Sequence, residues 1–122
     1  MGQDPMAAYE KYGAAWNAKD ADESAALLRE SWADEGVIVD PENPEGIRGR
    51  EALLDYIVKT QAEMVGVDIS DTAEPELLGG RLRTRWKATQ DSEVVYTGTD
   101  FIEFAADGRI SQVTMFYDSS PE

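Results

Sequence analysis

The 122-residue chain contains no cysteine and no histidine. Without cysteine there is no disulfide, no thiolate nucleophile and no cysteine-ligated metal. Without histidine, Ser-His and Cys-His nucleophilic systems, Asp-His dyads and histidine-ligated metals are excluded too. Any proton chemistry must come from Asp, Glu, Tyr, Lys or bound water. Positive charge is also scarce: eleven basic residues stand against twenty-five acidic ones, for a net charge of −14. That balance repels nucleic acid and anionic membrane surfaces, so neither is expected as a partner. No apolar run approaches the roughly 18 residues of a membrane-spanning helix, and no segment reads as a secretory signal. A soluble, cytoplasmic protein is expected.

What is present suffices for a core. Apolar residues make up 42% of the chain, with three Trp, five Tyr and three Phe, and the length suits one domain. The leading "MGQDP" reads as an expression remnant over residues 1–5, followed by a single domain over 6–118 and a loose tail over 119–122. Asp4-Pro5 still offers an N-cap and a first-turn proline. Met6, Tyr9, Tyr12, Gly13 and Trp16 recur at helical steps and predict a first helix ending near Lys19. Asp20 with Glu23 resembles a capping box and opens a second helix through about Ala33, with Trp32 on its apolar surface and Gly36 as a stop.

Val37-Ile38-Val39 then predicts a strand covered on both faces, ending at Asp40-Pro41. Side chains two apart share a face, so Asp40 lies on the side of Ile38. "ENPEGIRGR" reads as a turn-rich loop. A third helix runs from about Arg50 to Met64, with Leu53, Leu54, Ile57 and Val58 on one face. Thereafter strands are predicted over 67–69, 81–89, 93–104 and 110–117, with "TQDSE" and "AADGR" as hairpin turns. This order predicts an α+β fold, with helices packed on one face of a mostly antiparallel sheet.

Three residues stand out chemically. In "VVYTGTDFIEF" the row Tyr96, Gly98, Asp100, Ile102, Phe104 is mostly apolar yet carries Asp100 at its centre, which requires a hydrogen bond, a proton or cavity water. The alternative is a structural Asp held by neighbouring donors. Asp40 is either a cavity carboxylate or the first residue of a turn before Pro41. Tyr12, on the apolar helix face, is either core filling or a donor. The strand "RLRTRWKAT" carries Arg81, Arg83, Arg85 and Lys87 on one side. If Leu82, Thr84 and Trp86 face inward, those charges lie outside; if Arg83 and Arg85 face inward, they favour ionised Asp100 and an anionic ligand.

The stretches from Tyr12 to Asp20, from Trp32 to Pro41, "Ile-Arg-Gly-Arg-Glu" and "Asp100-Phe-Ile-Glu-Phe-Ala-Ala-Asp-Gly-Arg-Ile" resemble the nuclear transport factor 2-like superfamily, from about Tyr9 to Tyr117. Within it the pattern is similar to ketosteroid isomerase, with SnoaL-like polyketide cyclases as near relatives. The resemblance implies a cone-shaped, curved sheet wrapped around the helices, and a homodimer formed through the outer face of the sheet. It also implies proton transfer beside the carbonyl of a small hydrophobic molecule, with no metal or organic cofactor. In that reading Asp40 is the general base, while Tyr12 and protonated Asp100 donate hydrogen bonds to the enolate oxygen. Trp16, Tyr96, Val113, Met115 and Tyr117 are the candidate ligand-binding residues. Two alternatives stay open: a non-catalytic ligand-binding or dimerisation module, and a cyclase or hydrolase in which Asp40 or Asp100 activates water.

Overall fold

The computed structural model describes residues 4–119; residues 1–3 of the expected remnant and residues 120–122 of the expected tail lie outside them. The chain runs α1 (Pro5–Asn17), α2 (Ala21–Ser31), β1 (Trp32–Asp40), β2 (Asn43–Arg48), α3 (Arg50–Glu63), β3 (Asp68–Asp71), β4 (Glu76–Leu78), β5 (Arg81–Gln90), β6 (Glu93–Phe104) and β7 (Ile110–Ser119). Both helix starts follow the capping signals. Asp4 accepts a hydrogen bond from the Met6 amide ahead of Pro5, and Asp20 accepts one from the Glu23 amide.

The strands form one sheet in the order β2-β1-β7-β6-β5-β3, with β4 also paired to β5. All pairings are antiparallel except β1 with β7. The result is an α+β fold in which the helices cover the concave face of a curved, mostly antiparallel and unclosed sheet. At the closed end of this shell Ala8, Ala15, Leu28, Leu53 and Ile57 from the helices pack on Ile38, Ile102, Ile110 and Val113 from the strands. Among the described residues no helix is long and apolar enough to cross a membrane.

Several local expectations need correction. The second helix stops at Ser31, and Trp32 begins β1 instead of extending the helix. Trp32 is fully buried and stacks on Tyr12, ring centroids 5.4 Å apart. Gly36 is no helix stop but lies inside β1, where a side chain would sit 2.5 Å from the Trp32 indole nitrogen. The segment expected as a loop after Pro41 forms β2, an edge strand, which is where a sheet tolerates Pro44 and Gly46. β4 was not anticipated, because three exposed residues carry no periodic signal. Val58 is exposed instead of sharing the buried face of Leu53 and Ile57, being rotated about 100° beyond Ile57.

Candidate active site

The register of the β5–β6 hairpin decides what faces inward. Leu82, Thr84 and Trp86 are buried and Arg81, Arg83 and Arg85 are exposed. The basic row therefore lies on the outer face, where Arg83 pairs with Glu76 at 2.6 Å and Arg81 with Glu103 at 3.8 Å. On β6 the inward row is the expected one, with Gly98, Asp100 and Ile102 buried.

Between this inward surface and the helices lies a cavity of about 1070 Å³. Tyr12 and Trp16 of α1, Tyr96 and Asp100 of β6, and Met115 and Tyr117 of β7 all line it. The other two predicted site residues do not. Val113 shares its row with Met115 and Tyr117 but sits at the closed end, fully buried in the core. Asp40 is 3% exposed and lies behind the wall.

Asp40 is occupied on both oxygens. Oδ1 accepts from the Glu42 amide at 3.0 Å, the Asn43 amide at 2.8 Å and Asn43 Nδ2 at 3.0 Å. Oδ2 accepts from the Tyr56 hydroxyl at 2.6 Å. The first three bonds close the turn between β1 and β2, the local role that an Asp before Pro favours. The fourth comes from α3, and it is Tyr56 that reaches the cavity wall. Burial first, then the hydrogen bond and charge of Asp40, raise the Tyr56 phenol above its ordinary range.

Asp100 is on the wall itself, 5% exposed. Among the described residues its donor is the Trp86 indole, Nε1 to Oδ1 at 2.8 Å. Trp86 stands opposite Gly98 in the ladder, and a side chain at Gly98 would sit 2.6 Å from Cε2 of that indole. The glycine thus lets the ring lie flat across β6 and aim its N–H at the acid. Burial pushes the Asp100 carboxyl up to about 7; the Trp86 bond opposes this, and the charges of Asp40, Asp71 and Asp118 add to it. At neutral pH the group is poised between acid and base.

Tyr12 is 3% exposed, and its hydroxyl meets no partner among the described residues. Burial, followed by the charge of Asp100, lifts its phenol well above the usual range. The Thr84 hydroxyl, paired across the ladder from Asp100, is likewise buried without a partner. Sequence reasoning missed Tyr56, Trp86 as the donor to Asp100, and Tyr9, whose hydroxyl donates to Asp71 Oδ1. A glycine facing a tryptophan was a usable signal for the second of these; the Tyr56 and Tyr9 contacts join segments far apart in sequence and had none.

A family model described as the SnoaL-like domain matches residues 9–113. A proposed isomerase of the SnoaL-like family from Agrobacterium tumefaciens strain C58 superposes with a TM-score of 0.87 at 26% identity, over 93% of this chain and 97% of that one. A proposed ketosteroid isomerase from Kribbella flavida DSM 17836 does so with a TM-score of 0.70 at 26% identity, over 97% and 80%. A proposed polyketide cyclase from Sinorhizobium meliloti shares the fold, with a TM-score of 0.71 at 20% identity over 93% and 99%. No curated protein matches the chain. A family match that spans both the helical layer and the strand bearing Asp100 makes the conclusion direct: this chain belongs to the SnoaL-like family, within the nuclear transport factor 2-like fold.

Proposed function

We propose that the protein is an acid–base catalyst, of isomerase or cyclase type, that moves a proton beside the carbonyl of a small, largely apolar molecule. The observation that carries this reading is Asp100: a buried carboxyl on the wall of a large cavity, pushed up to about 7. A group poised near the working pH both accepts and returns a proton efficiently. In the proposed step the Asp100 carboxylate takes a proton from the carbon next to the carbonyl. The electron pair of that C–H bond moves into the enolate, and the Tyr12 phenol donates a hydrogen bond to the enolate oxygen. The Asp100 carboxylic acid then returns the proton at another carbon. The roles differ from those the ketosteroid isomerase resemblance implied, because Asp40 is not among the residues lining the cavity and its two oxygens already accept from the β1–β2 turn and from Tyr56.

Two features support the assignment. The Trp86 N–H holds Asp100 in place, and burial of the carboxyl among aromatic rings strengthens each hydrogen bond to the developing charge. The exposed position of Arg83 and Arg85 removes the cations that would hold Asp100 ionised and make an anionic ligand the natural occupant. The sheet-face homodimer and a cytoplasmic location belong to the same reading.

The experiment is steady-state isomerisation of a β,γ-enone by wild type, Asp100→Asn and Tyr12→Phe across pH 5–9. Loss of the base should lower turnover by about 10²–10⁴-fold, and loss of the phenol by up to about 10²–10³-fold. With Asp100 as base, turnover rises with pH and levels off above about 7. Turnover that falls above that pH would make protonated Asp100 the donor and return the base role to Asp40. Absence of turnover on any carbonyl compound, with intact binding, would leave a ligand-binding module.

A further inference from the structure

The charge on the cavity wall is one-sided. Of the eleven basic residues, Lys19 and Lys59 alone touch the cavity, and both are exposed at its rim. The arginines are engaged elsewhere: Arg81, Arg83 and Arg85 on the outer face, and Arg50 and Arg109 on Asp34. Against these lysines stand Asp100, buried in the wall, and the exposed carboxylates of Asp71, Glu10 and Glu42, which also line the cavity.

The tyrosines carry the same sign inward. Three wall phenols donate to carboxylates: Tyr9 to Asp71, Tyr56 to Asp40 at 2.6 Å and Tyr117 to Glu42 at 3.2 Å. A phenol whose proton is committed to a carboxylate presents its oxygen as an acceptor only. The rings are grouped on opposite sides of the space. Trp16 and Tyr56 meet edge to face at 5.8 Å on the helix side. On the sheet side Tyr117 stands 6.3 Å from Trp86 and 5.6 Å from Tyr96. Tyr12 differs from the three donating phenols: its buried hydroxyl lacks a partner among the described residues and is left to donate to the ligand's carbonyl oxygen.

Electron-rich ring faces, acceptor oxygens and unopposed carboxylates together recognise one ligand class. We propose that the cavity binds an organic cation, a substituted ammonium group carried on an apolar skeleton, and that the substrate of the proton transfer bears such a charged nitrogen near its carbonyl. The inference rests on the proposed function only in taking this cavity as the substrate site. It adds a chemical reason for the arrangement: a cation beside Asp100 favours the ionised carboxylate that accepts a proton, and its inductive pull makes the neighbouring C–H more acidic. An anionic substrate would meet the acids with no basic partner inside.

The test uses three probes of similar size with the full chain: benzyltrimethylammonium, its uncharged carbon analogue neopentylbenzene, and benzoate, titrated calorimetrically. The expected result is binding of the cation at least about tenfold tighter than the carbon analogue, the range a desolvated cation–π contact supplies, with benzoate weaker than both. Asp100→Asn should narrow that preference to a few-fold, with an unchanged far-ultraviolet circular dichroism spectrum showing that the variant is folded. Tyr96→Leu, which removes a ring and no charge, should weaken the cation more than the carbon analogue. Equal or tighter binding of neopentylbenzene or benzoate by wild type would overturn the proposal. The two readings fail separately: turnover of a neutral enone without cation preference sinks the cation specificity alone, whereas cation preference without turnover of any carbonyl compound sustains it and sinks the proton transfer.

Discussion

Burying Asp100 costs the protein stability whenever its carboxyl is ionised, and the sign of that cost follows from its raised pKa. In the unfolded chain an Asp ionises near pH 3.9, whereas in the fold Asp100 does so at about 7. Below the first value both states are protonated and nothing is lost. Between the two, the folded state holds a proton that the unfolded state has released, so stability falls as pH rises, and the full penalty applies above about 7. That penalty is on the order of 4 kcal/mol, at 1.36 kcal/mol per tenfold change in acidity. Asp100→Asn should therefore be more stable than wild type at pH 8 and lose that advantage near pH 4, read from urea midpoints at the two pH values; an equal loss at both would mark Asp100 as a structural acceptor for Trp86. Asp40→Ala leaves two amides of the turn and the Tyr56 hydroxyl without their acceptor, a cost of about 1–3 kcal/mol. Tyr56→Phe should destabilise by a similar amount, and the double variant by less than the sum, because both changes remove the same bond. At this scale Asp100 was legible, since an acid inside an apolar period-two row has few explanations. Asp40 was legible as a turn residue, but its bond to Tyr56 was not, because that partner lies on a helix sixteen residues away.

The elements work as positioning devices, and the hairpin of β5 and β6 is the most exacting of them. Its turn uses Asp91 and Ser92, both at positive φ, and a bulge between Ala88 and Thr89 then shifts the pairing by one residue, so that turn and bulge together set the register. That register sets Trp86 against Gly98 and Thr84 against Asp100. Gly98→Ala should force the Trp86 indole aside, weaken its bond to Asp100 and destabilise the fold by about 1–3 kcal/mol, the usual cost of overpacking. A changed Trp emission spectrum together with lower thermal stability would confirm it, and unchanged values would show that the ring has room to move. On the other side of the cavity, the Asn17 side chain both donates to and accepts from the Ile69 backbone at 2.9 Å, tying α1 to edge strand β3. That tie holds Asp71 within reach of Tyr9. Capping signals and hairpin turns were legible because they are local. β2 was not, since a strand at a sheet edge tolerates the Pro and Gly that otherwise mark a loop. Trp32 was read into the helix because helical spacing cannot register that a strand starts at the next residue.

For the whole molecule, fold class follows from amphipathic helices and alternating strands, whereas the direction of the basic row stayed open until the register of β5 and β6 placed it outside. The cavity was not legible, because periodicity marks which side chains point inward but not whether they meet. The outer face carries one more readable feature. Phe101 and Phe116 are 47% and 52% exposed and lie edge to face at 6.0 Å, on neighbouring strands of the convex side. We propose this patch as the centre of the homodimer, where burial of two aromatic side chains per subunit would supply the apolar core an interface needs. Phe116→Glu should then shift sedimentation from dimer to monomer, and a monomeric wild type would remove the proposal. The central claim, however, is that one buried acid titrates near neutrality inside the cavity. The measurement that meets it most directly is ¹³C NMR of the Asp carboxyl carbons across pH 3–9, with Asp100→Asn identifying the resonance. One Asp carboxyl with a midpoint at about 7 that disappears in the variant is expected; a midpoint below 5 for that resonance would contradict a buried acid poised near neutrality.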